Sequence, residues 1–176
     1  MELNGLSRPK ILELLTELSK FSSELVQETT LPTLFAALPD SAPPKHELSE
    51  HVRYRGILAS LGTLCTPPPL FETLVIRMTS KLDLLCRPHP IDVDLENSAA
   101  YAYAILSTLS DVTVRKVENK HNDLAKYGER LVLPLYGIFL ETSVSPADVH
   151  SVTSNSRVLL MAAKLINLIT RTLNRE

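Results

Sequence analysis

The sequence LPTLFAALPD at residues 31–40 has two counterparts later in the chain, LVIRMTSKLD at residues 74–83 and LPLYGIFLE at residues 133–141. Each begins with Leu and ends with an apolar residue close to an acid, and each leads towards a loop. The copies start at residues 31, 74 and 133, which gives offsets of 43 and 59 residues. Self-similarity at a period of about 20–50 residues is typical of repeat proteins. The polar stretch at residues 87–97 can hold the excess of the longer offset as a loop insertion.

Apolar residues with helical spacing fill the segments between the proline-rich turns. In the fifth segment we predict that Tyr103, Leu106 and Leu109 face inward. The first two segments form either one bent helix or two. In either case Pro32 is expected to bend or restart the second segment, and Pro134 is expected to kink the sixth. The predicted helices cover about residues 9–21, 23–38, 48–64, 70–85, 98–118, 122–140 and 155–173, and no segment has a strong strand period.

A second helix follows the first copy at residues 51–62, HVRYRGILASLG, where a Val-Arg pair leads small and aliphatic residues. This stretch resembles the second helix of HEAT repeats and residues 31–40 resemble the first; HEAT repeats are about 40–47 residues long. The resemblance implies an all-α, HEAT-type α-solenoid, a superhelical stack of about three antiparallel helix pairs. We predict one helical-repeat domain over residues 1–176, with repeats at residues 23–65, 70–118 and 122–173. A helical globule around one central core is the alternative.

The overall composition excludes some classes of protein and compartment. The formal net charge of -2 lacks the basic excess of a dedicated DNA-binding domain. Cys65 and Cys86 lie in or beside apolar helical segments, where a free thiol usually packs as a small hydrophobe. The first residues lead into a charged segment instead of an apolar leader, and no apolar run approaches the length of a membrane span. We therefore expect a reducing compartment, the nucleus and cytoplasm.

The sequence contains none of the motifs that carry catalysis or cofactor binding. There is no G-x-S-x-G, no P-loop, no G-x-G-x-x-G and no H-E-x-x-H. Cys86 and His89 form a lone Cys-x-x-His pair, whereas a structural zinc needs four ligands. We therefore predict a protein that is not an enzyme and has no catalytic, cofactor-binding or metal site. Solvated side chains are expected for His46, His51, His121 and His150.

One stretch of the chain is mildly basic, although Glu118, Asp123 and Glu129 interrupt it. A solvated helix face with ion pairs at helical spacing is the favoured interpretation, and a helical nucleic-acid-binding module remains the alternative. The basic residues of the stretch are Arg115, Lys116, Lys120, Lys126 and Arg130.

Residues 31–40, 70–83 and 162–173 together resemble the central region of a fungal member of the methyl-methanesulfonate-sensitivity family, a HEAT-repeat scaffold of the cytosolic iron–sulfur targeting complex. The resemblance implies an adaptor that brings iron–sulfur assembly components to apo-proteins of DNA replication, repair and transcription. The implied partners are subunits of the targeting complex and its client apo-proteins, without direct nucleic-acid or membrane contact. Family members are much longer, so a fragment lacking their C-terminal part is expected. An unrelated HEAT or armadillo-type adaptor is the alternative.

The contact surface of such a scaffold is expected on the second helices of the pairs. Solenoids often bind along a concave face that one helix of each pair lines. On this basis we predict that polar positions of the second helices, namely Arg53, Arg55 and Arg157, contact a partner protein.

Overall fold

The computed structural model describes residues 7–87, 94–144 and 151–173, and all the regular structure in these ranges is helical. The predicted all-α class is therefore confirmed. A π-helical turn at Val26–Thr30 joins α2 to α3, and 3-10 turns at Leu124–Tyr127 and Val152–Ser154 precede α7 and α8. The helices are α1 Arg8–Phe21, α2 Ser23–Leu25, α3 Leu31–Ala36, α4 Leu48–Leu64, α5 Pro68–Cys86, α6 Leu95–Glu118, α7 Gly128–Val144 and α8 Ser156–Leu173.

The second predicted segment is not one regular helix. Ser22 has non-helical angles (φ -143, ψ 72) and separates α1 from α2, so the first two segments are distinct. Pro32 has no N–H to donate to the carbonyl of Glu28, and its ring would collide with that carbonyl in a regular α-helix. The wider π turn at Val26–Thr30 lies at this position, and α3 begins at Leu31. Thr30 and Leu31 both keep helical angles, so the segment continues through the π turn into α3 without a break and Pro32 does not restart it.

Two other helix boundaries differ from the prediction. Asp94 caps α6 by accepting a hydrogen bond from the Asn97 N–H at 3.1 Å, so α6 begins at Leu95 within the stretch predicted as a loop insertion. The sixth predicted segment is divided into the 3-10 turn Leu124–Tyr127 and α7, which contains Pro134. None of the described helices combines the length and the apolar composition that a bilayer span requires.

One row of helices consists of α4, α6 and α8, with α6 contacting both of the others. The side chain of Asn97 donates to the Pro43 carbonyl just before α4, and Lys116 Nζ donates to the Thr66 carbonyl just after α4, at 2.9 Å. The start of α6 therefore lies at the start of α4 and the two ends also meet, so that these helices run parallel.

A second row consists of the α2–α3 region, α5 and α7. Gln27 Nε2 donates to Thr73 Oγ1 at 3.1 Å, and Arg130 Nη1 lies 2.5 Å from Glu72 Oε1. These contacts join the first halves of the three segments. Because α5 contacts α6 and α7 contacts α8, the two rows pack against each other through a shared apolar core.

Of the two tyrosines of α6, Tyr101 lies in the core and Tyr103 does not. Tyr101 is fully buried, its hydroxyl donates to the Pro39 carbonyl at 2.8 Å, and its ring lies 4.7 Å from the ring of Tyr54. Tyr103 is 37% exposed, so its predicted inward position is wrong, whereas Leu106 and Leu109 are buried as predicted. Residues two apart on a helix point in nearly opposite directions, and the helices that pack against α6 determine which of the two is covered.

The predicted solvated basic face is wrong at Lys116, whose side chain is fully buried. Its Nζ lies 2.7 Å from Asp123 Oδ2 and 4.8 Å from the centre of the Phe71 ring. Burial lowers the pKa of Lys116, and the neighbouring Asp123 carboxylate opposes that shift. After α6 the chain turns at Lys120, which has a positive φ of 55, and this turn brings Asp123 back to Lys116. Arg130 pairs with Glu72 of α5 instead of with an acid on its own helix.

We expect Cys65 to be unreactive towards thiol reagents while the chain is folded. Its side chain is fully buried beside the end of α4, and burial raises its pKa to about 12. A thiol reacts as the thiolate, so an aromatic disulfide reagent at pH 8 should modify Cys65 within minutes only after denaturation. Because the unfolded thiol ionises near its ordinary value, stability should also fall as the pH rises above about 9. Rapid modification under native conditions, located by mass spectrometry, would contradict this burial.

Candidate protein-binding groove

A groove with a volume of about 590 Å³ crosses the surface of α4, α6 and α8. Because α6 lies between the other two helices, it forms the floor, and α4 and α8 form the walls. A small hollow near the ends of α6 and α8 is lined by Val117 and Thr172. The groove lies nearer the starts of the same two helices, where it is lined by Tyr103 and Arg157. The three helices therefore run parallel beneath the groove.

The floor presents small and polar side chains at helical spacing along α6. Glu96, Ala100, Tyr103, Ser107 and Asp111 all line the groove, at intervals of three or four residues. This face is opposite the buried face that contains Tyr101. The same spacing can be read in the sequence, but it indicates only that these residues share a face and not that two neighbouring helices rise on either side of it.

Two of the three predicted contact residues lie in this groove. Arg55 of α4 and Arg157 of α8 line its opposite walls, and both are exposed. Arg53 does not line it; its Nη1 lies 3.4 Å from a Glu50 carboxylate oxygen on the same helix. Within residues 7–87, 94–144 and 151–173, neither Arg55 nor Arg157 forms an ion pair. As far as the described residues show, both guanidinium groups can pair with an incoming acid.

Glu96, the acid at one end of the groove, already forms an ion pair with Lys45. Lys45 Nζ lies 3.1 Å from Glu96 Oε2 and 3.3 Å from Asp94 Oδ2. The hydrogen bond that Lys45 donates to Glu96, followed by the one it donates to Asp94, raises the pKa of Lys45. The backbone N–H of Asn97, with Lys45 adding to its effect, lowers the pKa of Asp94. Asp111 is thus the acid of the groove that has no ion pair among the described residues.

The wall formed by α8 is cationic along its length. Arg157, Lys164 and Arg171 recur every seven residues and are exposed, and the helix contains no acid. A second hollow of about 370 Å³ shares Tyr103 and Arg157 with the groove and adds Leu160, which is 73% exposed, and Lys164. Since the two hollows share residues, they form one continuous surface.

The groove offers binding groups and no recognisable centre for chemistry. Cys86 is buried, and its predicted neighbour His89 lies outside the described residues, as does His150. Across the part of the chain that the structure describes, no three His, Cys, Asp or Glu side chains are grouped so that they could hold a metal ion.

The family described as "RNAPII transcription regulator C-terminal", the C-terminal region of MMS19, matches residues 57–176. No curated protein and no solved structure matches the chain. The match covers α5 to α8, the second half of α4 from Ile57 onward and the whole floor of the groove. It supports the resemblance to the methyl-methanesulfonate-sensitivity scaffold, but the placement in that scaffold's central region is wrong because the matched region is C-terminal. Since the match extends over two thirds of its residues, the chain belongs to the MMS19 C-terminal family.

Proposed function

We propose that this protein is a non-catalytic HEAT-repeat scaffold, an adaptor that targets cytosolic iron–sulfur cluster assembly to proteins of DNA repair and transcription. The family match over residues 57–176 carries the proposal. The family's printed description, a regulator of RNA polymerase II transcription, favours clients of the transcription machinery. An adaptor for such clients would work in the nucleus and cytoplasm. Its partners would be proteins of the targeting complex and the apo-proteins that they serve.

The proposal includes a solenoid, in which the predicted repeats at residues 23–65, 70–118 and 122–173 stack in a row. Hydrogen bonds between residues that lie about one repeat apart support it. Lys81 Nζ donates to the Pro39 carbonyl across 42 residues, Gln27 Nε2 donates to Thr73 Oγ1 across 46, and Lys116 Nζ donates to the Thr66 carbonyl across 50. Hydrogen bonds between α5 and the α7 region span 58 and 59 residues, which matches the offset of 59 residues between the second and third copies of the repeated sequence. In the proposed solenoid each helix pair packs against the next one along the chain.

Amide hydrogen exchange tests the stack. A helix pair in a stack is stabilised by its neighbours, so a pair flanked on both sides is protected most. We expect the amides of α5 and α6 to exchange slowest and those of α1 to α3 to exchange at least about tenfold faster, because the latter have a neighbour on one side only. One common exchange free energy for all the helices would instead indicate a globule with a single cooperative core.

Co-purification tests the adaptor role. The tagged chain should retain purified subunits of the cytosolic iron–sulfur targeting complex on an affinity resin at micromolar concentration. A helical protein of similar size with the same tag serves as the control. Failure to retain any subunit, while hydrogen exchange shows that the chain is folded, would contradict the proposal.

A further inference from the structure

We infer that the groove across α4, α6 and α8 binds an acidic peptide segment that carries a bulky apolar side chain at its centre. The inference rests on the proposed scaffold function and specifies the kind of partner segment that the scaffold holds. The occupant is a stretch of another protein, with its acids on either side of the apolar residue.

Charge is the first argument. Arg55 and Arg157 lie on opposite walls without an ion pair among the described residues, and Lys164 continues the positive charge along α8. Lys45 pairs with both Glu96 and Asp94, which leaves one net negative charge in that cluster, and Asp111 is the acid of the groove without an ion pair among the described residues. The three cations therefore still outnumber the acids that oppose them. An acidic segment lying across the groove can therefore pair with a guanidinium group at each wall. Arginine is well suited to this role because its planar fork matches a carboxylate.

Shape is the second argument. The floor is lined by Ala100, Ala104 and Ser107, whose short side chains leave room above α6. The volume of about 590 Å³ lies within the range of about 300–1,000 Å³ that is usual for a ligand site. The exposed ring of Tyr103 and the exposed Leu160 provide apolar contact at the α8 side. A Leu or Phe side chain of the partner can therefore bury apolar surface between the two arginines.

The pattern of charge favours a peptide over a nucleic acid. A phosphate backbone is bound by many cations that follow its regular spacing, and the domain that binds it is usually basic overall. Here two arginines are separated by a floor of small and polar side chains that includes an acid, and the whole chain has a formal net charge of -2. Single-stranded DNA is therefore included in the test as a competitor that should not displace the peptide.

The probe is a fluorescein-labelled peptide of twelve residues, in which Glu and Asp surround a central Leu-Phe pair. Fluorescence anisotropy measures its binding to the full chain at low salt. We expect binding that weakens as the salt concentration rises, and that is lost when Lys replaces the acids or Ser replaces the Leu-Phe pair. Absence of binding by the acidic peptide, or equal binding by the Lys peptide, would overturn the inference.

Variants of the protein locate the site. Arg55→Glu and Arg157→Glu should each weaken peptide binding about tenfold, because each removes one ion pair and adds a repulsion. Arg77→Glu on α5 makes the same change of charge at an exposed position outside the groove and should leave binding unchanged. Ala100→Trp should fill the floor and also weaken binding about tenfold, whereas Ala163→Trp, exposed in a different hollow, should not.

The Arg55→Glu/Arg157→Glu double variant should gain affinity for the Lys peptide, a change that misfolding cannot produce. If Arg77→Glu weakens binding as much as Arg55→Glu does, or if single-stranded DNA displaces the peptide, the groove is not an acidic-peptide site.

Two results separate this inference from the proposed function. If the double variant retains the targeting subunits as well as the wild type does, the groove inference fails and the adaptor role stands. If the wild type retains none, the adaptor role itself fails.

Discussion

Lys116→Ala should lower the free energy of unfolding by about 3–5 kcal/mol, as expected when one partner of a buried ion pair is removed. The Lys116 side chain is fully buried, and the Asp123 side chain beside it is only 11% exposed. Without the ammonium group, the Asp123 carboxylate keeps its charge with no partner at 2.7 Å, and the Thr66 carbonyl loses its donor. Urea denaturation followed by circular dichroism measures the loss.

Exposed Lys126, in the turn before α7, provides the matched control. Lys126→Ala should change stability by less than about 0.5 kcal/mol, because an exposed lysine without an ion pair contributes little. The double variant Lys116→Met/Asp123→Asn removes both charges and leaves neither of them unpaired. It should therefore lose less stability than the sum of the two single variants. Equal losses for Lys116→Ala and Lys126→Ala would show that Lys116 is solvated, as its sequence neighbourhood suggests.

Tyr101→Ala should lower the free energy of unfolding by about 3–5 kcal/mol, the usual cost of emptying a large buried aromatic site. The ring packs against Tyr54, and the hydroxyl holds the Pro39 carbonyl in the turn between α3 and α4. Tyr101→Phe keeps the ring and should cost about 1 kcal/mol, the lower end for a lost hydrogen bond. The cost stays low because Lys81 Nζ also donates to the Pro39 carbonyl, at 2.7 Å.

The control for Tyr101 lies two residues further along the same helix. Tyr103→Ala should cost less than about 1 kcal/mol, since this ring is 37% exposed and lines the groove. Thermal unfolding of the three variants gives the order directly. If Tyr103→Ala is more destabilising than Tyr101→Ala, the rotation of α6 about its axis described here is wrong.

Most of the helical layout could be predicted from the sequence, because local apolar spacing and proline positions determine it. The extent of α4, residues 48–64, was predicted as observed, and α5 and α8 differ by one or two residues at their ends. The prediction was poorer where one polar contact fixes a boundary. The Asp94 cap starts α6 within a predicted loop, and the π turn before Pro32 lies between α2 and α3 within the second segment.

The groove was only partly predictable. The choice of Arg55 and Arg157 followed from their positions on the second helices of the pairs, and both line the groove. The apolar spacing of α6 places Tyr103 in the core and gives no position for Asp111, although both residues line the groove. The reason is that a helical pattern gives the residues of a face but not the neighbours that cover it.

The sequence by itself determined that the chain is all-α, where most of its helices lie, and which stripe of α5 and of α8 is apolar. Only the tertiary structure decided that Lys116 is buried, that Tyr101 and not Tyr103 packs inward, and that Arg55 and Arg157 face each other across one groove. Apolar periodicity depends on residues three and four apart, which the sequence contains. Burial of a charge and the shape of a groove depend on contacts between residues more than forty positions apart, which form only when the helices pack against one another.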